Sequence, residues 1–94
     1  MSSLTSPVTL LSAVVATGAS KAVQADAGQP AFLQVVGITT ATVALQGSLD
    51  GTTFATIGTA LTADGIVTIA NAPNYLRANC TAYTSGTITA KILY

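Results

Sequence analysis

With three acids, three bases and no histidine in 94 residues, the chain holds few side chains able to do acid–base or metal chemistry. Charged residues make up 6% of it and hydrophobic ones 50%, where a soluble protein ordinarily carries about a quarter charged. The formal net charge is zero, which excludes the basic stripe that nucleic-acid binding needs.

The length suits one domain. A domain this small buries only about 60–65% of the surface its unfolded chain exposes, so association would add burial. Sixteen threonines and seventeen alanines must cover much of the exterior in place of charge, and neutral surfaces tend to associate. Lys21, Arg77 and Lys91 are the only cations and lie far apart in sequence. No apolar run approaches the ~20 residues of a membrane-spanning helix. Neither nucleic acid nor membrane is expected as a partner.

Residues 1–7 (MSSLTSP) read as an extended arm and residues 8–94 as a single domain. Leu10 to Ala16 followed by Ser20-Lys21-Ala22 has the outline of a secretory signal, but it lacks a basic start and is interrupted by Thr5, Ser6 and Pro7. It reads instead as a strand. Turn signals recur at Thr17-Gly18, Asp26-Ala27-Gly28, Asp50-Gly51, Asp64-Gly65, Asn71 to Asn74 and Ser85-Gly86. The β-branched runs between them predict strands at about 8–16, 20–25, 31–38, 41–48, 53–58, 66–70, 75–82 and 87–93. The last two alternate most cleanly. Leu76, Ala78, Cys80 and Ala82 share one face, as do Ile88, Ala90, Ile92 and Tyr94. Tyr83-Thr84-Ser85-Gly86 is expected to join those two strands as a hairpin. Gly47 continues the inner face of Val43 and Leu45, and a glycine there predicts a bulge or a close backbone approach. The pattern predicts an all-β fold, a compact antiparallel β-sandwich, either jelly-roll-like or immunoglobulin-like, with an extended N-terminal arm.

Asp26, Asp50 and Asp64 each lie within two residues of a glycine. Aspartate favours turns by hydrogen-bonding its own backbone, and glycine supplies positive φ. Calcium needs several oxygens from one loop, and a glycosidase needs paired carboxylates; none of these loops carries a second acid. A serine or threonine nucleophile needs a base, and the chain has neither a histidine nor a Ser-x-x-Lys. No catalytic residue, metal site or cofactor is expected, and the protein is not read as an enzyme. Cys80 cannot form an internal disulfide and reads as a small buried hydrophobe, in keeping with a reducing cytosol. Asn79-Cys80-Thr81 matches a glycosylation sequon, but inside a predicted strand it reads as a chance match. Phe32, Phe54, Tyr75, Tyr83 and Tyr94 read as packing residues, with Tyr75 and Tyr83 the candidates for exposure on a sugar-binding face.

The stretch Gly47-Ser48-Leu49-Asp50-Gly51-Thr52-Thr53-Phe54-Ala55-Thr56-Ile57-Gly58 resembles a pattern of small tailed-phage virion proteins, in which a strand enters a turn and leaves through an aromatic. Tyr75-Leu76-Arg77-Ala78 through Thr84-Ser85-Gly86-Thr87-Ile88-Thr89 is similar to the closing segment of the same group. The resemblance covers roughly residues 33–94 and carries no catalytic residue. It implies a virion structural protein, of which a capsid decoration (cement) protein is the first reading. Such a protein would be assembled in the host cytoplasm, would sit on the capsid surface, and would bridge major capsid protein subunits. A neck, tail or fibre-base component, or an exterior carbohydrate-binding or cell-surface-binding module, is the alternative. Self-association is expected, a homotrimer first and a dimer second. Apolar residues toward the chain ends, Leu4, Val8, Leu10, Leu11, Leu93 and Tyr94, are the candidate inter-subunit contacts.

Overall fold

A computed structural model describes residues 7–25 and 27–94. Its elements are strands: β1 (Val8–Val14), β2 (Gly18–Ala19), β3 (Val23–Gln24), β4 (Ala31–Ser48), β5 (Ala55–Thr56), β6 (Gly65–Ile69) and β7 (Tyr75–Leu93). They form one antiparallel open sheet built on two long central strands, β4 and β7, paired along their whole length. The far edge of β7 is lined in turn by β1, β2 and β3. The far edge of β4 is lined by β6, then by a bridge from Val43 to Leu61, then by β5.

Among the described residues the eight expected strands become seven: two pairs merge, and the run expected at 20–25 is replaced by the two short strands β2 and β3. The runs at 31–38 and 41–48 are one strand of 18 residues, and those at 75–82 and 87–93 are one of 19. The hairpin expected at Tyr83 to Gly86 is not there; Ser85 and Gly86 pair with Thr40 and Ile38 as β7 continues. At about 3.3 Å per residue such strands would run nearly 60 Å if straight. The longest dimension of the molecule is 36 Å, so both strands bend. The bend falls where the pairing slips, between Val36 and Val43.

Two glycines make the bend possible. Gly37 has φ +86° and Gly86 φ +125°, in the region closed to most side chains. They face each other so closely that a Cβ on Gly86 would lie 2.5 Å from the Gly37 carbonyl oxygen, and one on Gly37 would overlap the Thr87 carbonyl oxygen. The amide of Ile38, which pairs with Gly86 between two slips, donates to Asp64 Oδ1 at 2.8 Å. Asp64 therefore supports the bend from 26 residues away, where a local turn bond was expected.

The slip preserves the buried face. From the Val36↔Thr89 pair to the Val43↔Cys80 pair, β4 advances seven residues and β7 nine. The two extra residues on β7 leave alternation in phase, whereas one would turn every later side chain over. Leu33, Val35, Val43 and Leu45 of β4 accordingly share one face with Leu76, Ala78, Cys80, Ile88, Ala90 and Ile92 of β7, all but fully buried. They belong to a single hydrophobic cluster that spans the bend. Gly47 completes this inner face by close approach: a Cβ there would sit 2.5 Å from Pro73 Cγ and 2.6 Å from Ile57 Cδ1.

Candidate interaction surface

Several polar side chains are engaged within the fold. Asp50 occupies the turn after β4, where the Thr52 and Thr53 amides donate to its Oδ1 at 2.9 and 3.1 Å and the Ser48 hydroxyl donates at 2.8 Å. Ser48, itself buried, accepts in return from the Gly51 amide at 2.9 Å. The amides of Thr52 and Thr53, then the Ser48 hydroxyl, hold the Asp50 carboxyl down at about 2, below its ordinary 3.8. The folded state thus favours the ionised form. That contribution is complete above the ordinary value and is lost as pH falls through about 2. The melting-temperature gap between wild type and Asp50→Asn should therefore narrow from pH 5 to pH 2 in thermal scans; a constant gap would show that the charge contributes nothing. Asp26 lies outside the described residues, and among the described residues no three of His, Cys, Asp and Glu gather as metal ligands.

Cys80 is 1% exposed, donates to the Ala82 carbonyl at 3.4 Å, and has its thiol pushed up by burial. On the opposite face Gln46 and Arg77 are cross-strand partners. Gln46 Oε1 accepts from Arg77 Nε at 2.8 Å and from Asn79 Nδ2 at 3.4 Å. The Arg77 guanidinium lies 4.1 Å from the centre of the Phe54 ring, a cation–π contact. The two tyrosines considered for sugar binding are both half-buried. Tyr75 lies against Gly51, and Tyr83 donates to the Gly86 carbonyl at 2.6 Å and packs on the core.

While Leu49 and Val15 are exposed elsewhere, part of the exposed apolar surface lies on the outer face of the half-sheet formed by β6, the first part of β4 and the last part of β7. A groove of about 510 Å³ is lined there by Pro7, Phe32, Gln34, Ile66, Lys91 and Leu93. The pairing sets these side chains in cross-strand rows: Thr68, Phe32 and Leu93 in one, Ile66, Gln34 and Lys91 in the next. Ile66 is 59% exposed and Val36, beside the groove, 44%.

Of the expected contact residues that fall among the described ones, the structure brings only Leu93 to this groove. Leu10 and Leu11 are buried in the chain's own core, and Val8 and Tyr94 are half-buried against it. Two consecutive leucines are buried because β1 slips its register between Thr9 and Leu11, so alternation fails locally. Leu4 and the arm before Pro7 lie outside the described residues. Phe32 is not legible as a contact residue because the run Ala31 to Val36 is nearly all apolar, which reads as burial on both faces.

In comparisons with known proteins, no family model, curated protein or solved structure matched this chain.

Proposed function

We propose that the protein is a structural component of a tailed-phage virion, a capsid decoration protein that stabilises the head by bridging major capsid subunits. The observation that carries this reading is the apolar groove of Phe32, Ile66 and Leu93 on an otherwise charge-poor sheet. A cement protein works by burying surface among many copies. Low charge limits repulsion when identical chains crowd together, and weak contacts add up when each particle carries many. The motif resemblance at residues 47–58 and 75–89 points the same way. In this reading the bent sheet acts as a small two-layer sandwich around the shared core, with the outer groove turned to the capsid and the host cytoplasm as the site of assembly.

The test is add-back to phage heads that lack the protein. Wild type should bind to saturation and raise the temperature at which the heads release DNA. Phe32→Ser with Leu93→Ser should reduce binding at least tenfold while the circular-dichroism spectrum stays that of the folded protein. Failure of wild type to bind heads would remove the decoration reading. Glycan binding lost on Tyr75→Ala would favour an exterior binding module in its place.

A further inference from the structure

We propose that the protein self-associates through β6, which pairs antiparallel with β6 of a second copy across a two-fold axis at Val67. This rests on the sheet edges and does not require a virion role.

β6 is straight: Gly65 to Ile69 pair with Val35 to Ala31 with no slip. Among the described residues β4 is its only strand partner, so its other edge presents unpaired amides and carbonyls. Proteins ordinarily blunt such an edge with charge, proline or a bulge; Gly-Ile-Val-Thr-Ile has none of these. The remaining edges cannot take up a continuous ladder. β1 slips twice, and Ala13 within it has φ +50°. β2, β3 and β5 are two residues each. A regular uncharged edge that finds no match among the other described edges finds one in its own copy, which is an isologous interface.

The register follows from the faces. A two-fold axis normal to the sheet keeps outer residues outer, so opposed residues must have the same parity. Centring on Val67 pairs all five residues: Val67 with the partner's Val67, Ile66 with the partner's Thr68, and Gly65 with the partner's Ile69. The exposed Ile66 gains a β-branched neighbour, a favourable cross-strand pair. Asp64 of each copy falls beyond the end of the ladder, at opposite ends, so like charges do not meet. The sheet and its groove run on into the second copy. Five residues a side is less than a standard interface, which puts the dissociation constant at about 1–100 µM.

Sedimentation equilibrium from ~1 µM to ~1 mM should show the mass rising from 9.3 kDa toward twice that value. Ile66→Asp and Thr68→Lys, both at exposed positions, should each weaken association about tenfold or more. Mixing the two variants should restore it, because the new carboxylate at 66 lies opposite the partner's new ammonium at 68. Amide exchange of residues 65–69 should slow as wild-type concentration rises. A mass of 9.3 kDa at every concentration would overturn the proposal. So would a trimer, or a dimer that both variants leave intact. Binding to phage heads is scored separately, so either proposal can fail alone.

Discussion

Gly37→Ala is expected to lose at least about 3 kcal/mol of stability, a large share of the roughly 5–14 kcal/mol available to a domain of this size. Two causes act together. Alanine in the left-handed region costs about 1–2 kcal/mol by itself. The new Cβ would also overlap the Thr87 carbonyl oxygen and lie 2.8 Å from its carbon. Both are backbone atoms of the strand that makes the bend, so they cannot swing aside as a flexible side chain would. Gly28→Ala supplies a matched control, since Gly28 shares the φ of +86° and a Cβ there meets nothing within 4 Å. It should cost only the conformational part. Urea denaturation of both variants separates the terms. If Gly37→Ala came within about 0.5 kcal/mol of Gly28→Ala, the close approach of β4 and β7 at the bend would be refuted.

The same bend marks where sequence reasoning stops. Alternation placed Leu76, Ala78 and Cys80, and Ile88, Ala90 and Ile92, on the buried face because a period-2 pattern depends only on near neighbours, and it failed at Ala82, which is exposed where the pairing slips. Thr84-Ser85-Gly86 carries the composition of a hairpin turn as well as that of a strand bend. What decides between them is Gly37, 49 residues away, whose missing side chain lets β4 bend alongside β7. Asp64 is similar: next to a glycine it reads as a local turn residue, and its partner is the distant Ile38 amide. Asp50 kept to the local rule, bonding the amides two and three residues on. The groove was illegible for a related reason. Phe32, Ile66 and Leu93 come from three strands, and their meeting is a property of register.

Leu33→Ala and Leu76→Ala are each expected to lower stability by about 2–5 kcal/mol, as truncation of a fully buried leucine leaves a cavity as well as losing transfer energy. Both residues are 0% exposed, and they lie on opposite sides of the bend. Leu49→Ala, at a position 76% exposed, should change stability by less than about 0.5 kcal/mol. The informative readout is where the loss appears. Leu33 and Leu76 belong to one cluster, so each truncation should raise amide exchange in both halves of β4 and β7 together, within a single cooperative transition. A protein made of two independent half-sheets would behave otherwise. Leu33→Ala would then loosen residues 31–36 and 87–93 and leave 43–48 and 75–80 protected. That result would reduce the bend to a tether between two units and remove the shared core on which the sandwich reading depends.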